Sequence, residues 1–147
     1  MKMNPLLKLE SLGQSIWLDS ISRPMLTSGE LKRLIEEDGL SGVTSNPAIF
    51  EKAIAETNDY DGNIRALTRE GKGVDEIYQH LVINDIRLAA DQLRPLYDRL
   101  DGGDGFVSLE VSPHLAHDAK GTVDEAHMLW KSVDRPNIFI KIPAPVE

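Results

Sequence analysis

No cysteine occurs in the 147 residues. That removes disulfide frameworks, thiolate zinc centres and cysteine nucleophiles from consideration. No apolar run approaches membrane-spanning length, and the opening Met-Lys-Met-Asn-Pro-Leu-Leu lacks the apolar core of a secretory signal. Basic residues are the minority: 16 Lys and Arg stand against 24 Asp and Glu, a formal net charge of -8. The balance argues against a nucleic-acid backbone or an anionic membrane as partner. Anionic small molecules are still admitted, because local charge governs those. No Gly-x-Gly-x-x-Gly or Walker loop follows a strand-like segment, so a nucleotide cofactor has no motif here. Internal repeats, low-complexity tracts and linker-like breaks are also missing. What is left is an ordinary globular composition, 41% hydrophobic and 27% charged, long enough to bury one core. The expectation is a single cytoplasmic domain over residues 1–147.

Four short apolar segments alternate with helical stretches. Strands are predicted at 15–19, 42–46, 106–111 and 137–142. A helix is predicted over 27–38, with Thr27 and Glu30 at capping-box spacing, Leu31, Leu34 and Ile35 as its apolar stripe, and Gly39 as its stop. Pro47 suits the first turn of the next helix. Helical patterns dominate 47–98, broken near 58–62 and 71–73, with Pro95 expected to perturb the end of the longest piece. Thr122 and Glu125 form a second capping-box pair opening a helix to about Ser132. Strands separated by long helical crossovers read as parallel βα units, not hairpins.

Side chains alternate faces along a strand, which sorts these segments into two faces. Ile16 and Leu18 share one side, opposite Ser15, Trp17 and Asp19. Val43 opposes Gly42, Thr44 and Asn46. Val107, Leu109 and Val111 oppose Phe106, Ser108 and Glu110, and the isoleucines of the last strand oppose Asn137, Phe139 and Lys141. Each strand thus has an aliphatic face suited to covering helices. Its other face is mixed and ends in a polar residue: Asp19, Asn46, Glu110 and Lys141. Helix-covered open sheets are apolar on both faces, whereas a polar strand end on the inner face suits the mouth of a barrel. A lysine on an apolar strand is costly unless it is paired or used. Deprotonated, it can attack a carbonyl to form a Schiff base, with carboxylates carrying the protons. Plainer roles exist for each residue. Asp19 could cap a turn, Asn46 could start a helix, and Glu110 with Lys141 could be a structural ion pair. Their convergence at one end of one face favours a site.

Two further signals are weaker. His114, His117 and Asp118 near Glu110 invite a metal reading, but a polar loop rim accounts for them, and no metal is expected. Residues 58–62, Asn-Asp-Tyr-Asp-Gly, resemble part of a calcium loop without the glutamate its twelfth position requires, so a turn is expected.

Four motifs carry a more specific likeness. Trp17-Leu18-Asp19, the run from Gly42 to Pro47, Ser108-Leu109-Glu110-Val111-Ser112-Pro113 and Ile140-Lys141-Ile142-Pro143-Ala144 resemble, in order and spacing, the strand motifs of the transaldolases. The likeness runs from about residue 5 to the end and is strongest to the bacterial and plant-type branch, which includes fusions with a glucose-6-phosphate isomerase domain. It implies an α/β fold forming the first four βα units of a (β/α)8 TIM barrel. The implied activity is transfer of a dihydroxyacetone unit between phosphorylated sugars, without metal or organic cofactor. By the resemblance Lys141 is the Schiff-base lysine, Asp19 the acid/base acting on the C4 hydroxyl, and Glu110 the carboxylate that shuttles protons through a water. Asn46 holds donor hydroxyls, and Thr44 adds to the same wall. The chain departs from the family pattern at Pro145, where a threonine is usual.

A complete barrel of this kind takes ~250 residues, so 147 hold about half of one. The expectation is a sheet with two open edges and an exposed would-be interior. It could be closed by a second copy or by a C-terminal half supplying the phosphate-binding residues. Taken alone, the chain is expected to turn over little or no substrate. The competing readings are a class I aldolase acting as a lyase and an inactive half-barrel that only associates.

Overall fold

The computed structural model describes residues 4–143; positions 1–3 and 144–147, Pro145 among them, lie outside the described residues. Four parallel strands, β1 (Ile16–Leu18), β2 (Leu40–Val43), β3 (Phe106–Glu110) and β4 (Ile138–Lys141), form one sheet in the order β1-β2-β3-β4. Neighbours in the sheet are neighbours in sequence, joined by helical crossovers, as βα repetition requires.

Among the described residues seven α-helices surround the sheet or cap it: α1 (Pro5–Glu10), α2 (Arg23–Thr27), α3 (Glu30–Asp38), α4 (Pro47–Glu56), α5 (Asp61–Arg69), α6 (Val74–Arg99) and α7 (Ala119–Val133). The aliphatic sheet face lies under them. Val43, Val107, Leu109 and Ile138 are buried against Leu31, Phe50, Ile86, Ala89, Leu93 and Leu129. Ile16, Leu18 and Ile140 pack at the margin of the same core. At about 25 cal/mol per Å² this apolar burial dominates the stabilisation of the fold. Among the described residues no helix is long and apolar enough to cross a membrane.

Several local expectations are corrected. Helix α1 was not anticipated; it buries none of its residues, so it leaves no core stripe to read. The single helix expected over 27–38 is two helices. Thr27 ends α2, its hydroxyl donating to the Arg23 carbonyl at 2.9 Å, and α3 begins after Gly29 at φ 88. A left-handed residue there breaks the helix, and glycine takes it at little cost. Thr122 lies within α7, whose N-cap is Asp118, accepting from the Gly121 N–H at 2.9 Å. Strand β2 begins at Leu40, earlier than expected, and ends at Val43. The Thr44 N–H still donates to the Leu18 carbonyl at 2.8 Å, so the ladder outlasts the strand. Helix α6 runs to Arg99, one residue past the expected 98, with Pro95 held inside it.

Candidate functional site

The mixed face is built in two tiers. The lower is aromatic. Trp17 stacks on Phe139 with centroids 6.3 Å apart, Phe139 on Phe106 at 4.2 Å, and Phe106 meets Tyr97 edge-on at 5.3 Å. Trp17 and Phe139 belong to the two edge strands, so the sheet must curl for their rings to meet. Gly42 allows this: it is the register partner of Trp17, and a Cβ there would lie 2.3 Å from the indole. Phe139, for all its stacking, is 48% exposed.

Beyond the rings comes the polar tier, two residues further along β1 and β4 and four along β3. Glu110 and Lys141 are register partners on β3 and β4, and Lys141 Nζ lies 2.7 Å from Glu110 Oε2. Lys141 is not deeply buried: its side chain is 41% exposed, against 16% for Glu110. The desolvation cost expected of a lysine on an apolar strand is therefore small here. Toward the opposite edge of the sheet, on the same face, the Thr44 hydroxyl donates to Asp19 Oδ1 at 2.5 Å. Asp19 stands one residue beyond the end of β1 and is exposed. The five sequence-predicted residues thus fall into two contacting pairs and a fifth member, Asn46.

Asn46 sits beyond the end of β2 as the N-cap of α4. Its Oδ1 accepts from the Ile49 N–H at 2.9 Å, and Pro47 occupies the first helical position. That contact uses the acceptor end of the amide and leaves its NH2 group to donate elsewhere. Asn46 and Glu110 also border a cleft of about 680 Å³ between α4, α6 and the middle of α7, with Phe50, Tyr78, Val82 and Glu125 on its walls. Burial, reinforced by Glu51, raises the Tyr78 phenol above its ordinary range. Glu125 is committed, accepting from the Ser112 N–H at 2.8 Å.

The histidines near β3 do not gather a metal. His114 lies in the 3-10 turn Pro113–Leu115, and Asp118 is taken up in capping α7. Among the described residues no group of three or more His, Asp or Glu side chains is placed to hold an ion. Residues 58–60 turn into the start of α5, with the Asp61 N–H donating to the Asn58 carbonyl at 3.2 Å.

Some residues escaped the sequence reading. Ser108 is buried on the mixed face, one alternation before Glu110, and its hydroxyl has no partner among the described residues. The same two-residue alternation that marks Glu110 could have singled it out. Ser45 ties the loop after β2 to β3 by donating to the Ser108 carbonyl at 2.6 Å. Arg23, Tyr60 and Asp85 meet in a buried polar cluster drawn from three separate elements. No local spacing announces that cluster.

Comparison with known proteins adds to this geometry. The family model described as Transaldolase/Fructose-6-phosphate aldolase matches residues 16–147. A transaldolase of Thiobacillus denitrificans is 52% identical over 145 residues, covering 99% of this chain and 40% of that protein. A transaldolase of Thermobifida fusca is 54% identical over 144 residues, 98% of this chain and 39% of its own. Transaldolase 2 of a Nostoc species is 49% identical over 143 residues, with 97% and 38% covered. The chain therefore spans about two fifths of the length of the curated relatives it matches.

Proposed function

Because the chain belongs to the transaldolase/fructose-6-phosphate aldolase family, we propose that it carries the imine-forming part of a transaldolase. Such a transferase moves a dihydroxyacetone unit from a ketose phosphate, sedoheptulose 7-phosphate or fructose 6-phosphate, to an aldose phosphate in the pentose phosphate pathway. A cytoplasmic location goes with that pathway. The observation that carries the reading is the 2.7 Å contact between Lys141 and Glu110 on adjacent strand ends. An ammonium has no lone pair with which to attack a carbonyl, and the adjacent carboxylate gives its proton somewhere to go.

In this mechanism the neutral Lys141 amine adds to the ketose C2 carbonyl. Glu110, acting through a water, returns a proton to the carbinolamine hydroxyl, which leaves as water and yields the protonated imine. Asp19 takes the proton of the C4 hydroxyl. The C3–C4 bond breaks, its electron pair flows into the imine to give the enamine, and the aldose phosphate departs. An acceptor aldehyde then adds to the enamine by the reverse steps, and water releases the product from Lys141. Thr44 fixes the Asp19 carboxylate, and the free NH2 of Asn46 donates to hydroxyls of the bound unit. The imine is itself the electron sink, so this scheme calls on no cofactor.

Residues 1–147 form, in this reading, the first four βα units of a (β/α)8 barrel. Strands β1 and β4 are the open edges, and the exposed Phe139 faces what would be the interior. The partner is a C-terminal half or a second copy pairing on those edges, and the residues that bind substrate phosphate lie with it.

The deciding experiment is borohydride trapping with fructose 6-phosphate, read by peptide mass spectrometry. It is run on the 147-residue chain alone and with the C-terminal portion of the Thiobacillus denitrificans relative added. The expected result is a reduced adduct on Lys141, weak for the chain alone and strong in the mixture. Transfer to glyceraldehyde 3-phosphate should accompany the mixture only. No adduct on Lys141 in either arm overturns the imine reading, while release of free dihydroxyacetone without transfer replaces transferase by lyase.

A further inference from the structure

Asp19 is held lightly, but the chain just beyond it is not. The carboxylate is exposed, and its side-chain partner among the described residues is the Thr44 hydroxyl. Ile21, two residues on, is buried at 1% exposure in the main core. Arg23 then opens α2. Four residues of chain can span at most ~14 Å when extended, so wherever Arg23 is fixed, Asp19 has little slack.

Arg23 is fixed in an unusual way. Arg23 is the first residue of α2, so its N–H has no acceptor within the helix. The Tyr60 hydroxyl supplies the missing acceptor from a distant element, taking the Arg23 N–H at 3.0 Å. It can accept because its single proton is committed elsewhere: Tyr60 donates to Asp85 Oδ2 at 2.7 Å. The other carboxylate oxygen, Asp85 Oδ1, accepts from Arg23 Nε at 2.6 Å. Asp85 therefore orients the hydroxyl that caps the backbone of Arg23 and grips the Arg23 side chain as well. Asn63 Oδ1 accepts from Nη1 at 3.2 Å, and the guanidinium lies 4.7 Å from the Tyr60 ring centroid.

Neither Asp85 nor Tyr60 is exposed at all. A charged group so placed is a poor stability device, since well-packed apolar residues of the same volume often do as well or better. Arg23 Nη2 is also buried without a partner among the described residues, a further cost that stability alone does not explain. What the cluster does achieve is registry. It joins the loop after β1, the start of α5 and the middle of the 26-residue α6 at one point.

We infer that Tyr60 and Asp85 are positioning residues for Asp19, acting through Arg23 to set the loop from which the Asp19 carboxylate meets Thr44 and the substrate. The inference rests on the reading of Asp19 as the acid/base, but its test does not require turnover. The probe is the Tyr60→Phe chain, which keeps the ring beneath the guanidinium and loses only the hydroxyl. Isotope-edited NMR of the 147-residue chain follows the Asp19 carboxyl ¹³C, the Thr44 methyl and the amides of residues 20–23. In Tyr60→Phe the Arg23 amide should exchange about tenfold faster, reflecting one lost hydrogen bond. The Asp19 carboxyl and Thr44 methyl resonances should move with it. Asp85→Asn, which keeps an acceptor oxygen toward Tyr60, should shift the same resonances part of the way, and it carries the test if Tyr60→Phe melts without cooperativity. Faster Arg23 exchange with the Asp19 and Thr44 resonances unmoved makes the cluster merely structural and overturns the inference. Borohydride trapping on Lys141 should be unchanged in both variants, so failure of the imine reading would appear separately, as no adduct in the parent chain.

Discussion

Glu110 and Lys141 are partners twice over, paired in the β3–β4 register and joined at 2.7 Å through their side chains. The stabilising value of that pair is small. Lys141 is 41% exposed, and ion pairs open to water contribute about 0–1 kcal/mol. General acid–base catalysis, in contrast, is worth about 10²–10⁴-fold. The two roles therefore separate cleanly in Glu110→Gln. Its urea midpoint should stay close to that of the parent, while the rate of borohydride-trapped adduct formation on Lys141 falls by about 100-fold. A variant that traps as fast as the parent would return the pair to a structural role.

Asn46 offers a second separation within one side chain. Its Oδ1 caps α4, so Asn46→Ala should cost about 1 kcal/mol. Asn46→Asp keeps a capping oxygen and places negative charge at a helix N-terminus, so stability should change by no more than about 0.5 kcal/mol. It nevertheless deletes the NH2 group that the proposed site needs. Asn46→Ala loses that group as well, so both variants should trap poorly while only Asn46→Ala loses the cap's stability in denaturation curves. If Asn46→Asp traps as well as the parent, the amide is a cap and nothing more.

The readable part of this chain was its two-residue alternation. It sorted Val107 and Leu109 from Ser108 and Glu110 and put Lys141 on the face of Glu110, and the contacts follow that sorting. Strand–helix alternation likewise leads to the parallel sheet observed. The misreadings concern helix starts. Thr27 with Glu30 and Thr122 with Glu125 have the spacing of a cap, but Gly29 and Asp118 hold the N-cap positions. Spacing cannot tell a cap from a threonine whose hydroxyl turns back on its own helix, as Thr27 does. The cluster of Arg23 and Asp85 was illegible for another reason. The two residues lie 62 apart in sequence, and only the tertiary fold brings them together.

Gly42 should tolerate no side chain. A Cβ would stand 2.3 Å from two indole atoms of Trp17, so Gly42→Ala must push the ring off its stack with Phe139. Overpacking of this sort costs about 1–3 kcal/mol. The cost should be largely relieved in the double variant with Trp17→Leu, a non-additivity expected of residues in direct contact. Urea unfolding of the two single variants and the double variant measures it. Additive losses would mean that the ring is not what excludes the methyl group.

Alkaline stability should report on Tyr60. Burial, reinforced by the hydrogen bond to Asp85, raises its phenol well above the ordinary value of 10.0. The folded chain then keeps the Tyr60 proton at a pH where the unfolded chain releases it. With more protons bound in the native state, stability must fall as pH rises. The contribution is fully present below about pH 10 and is lost progressively above it, toward the raised folded value. Tyr78 is shifted in the same direction by burial and Glu51, so part of the slope belongs to it. Tyr60→Phe should therefore be less stable than the parent at neutral pH, yet lose less with each further step above pH 10, and the two urea-midpoint curves should converge. Curves that stay parallel through that range would mean that Tyr60 ionises in the folded chain as freely as in the unfolded one. That outcome is incompatible with a hydroxyl buried between Asp85 and the Arg23 N–H.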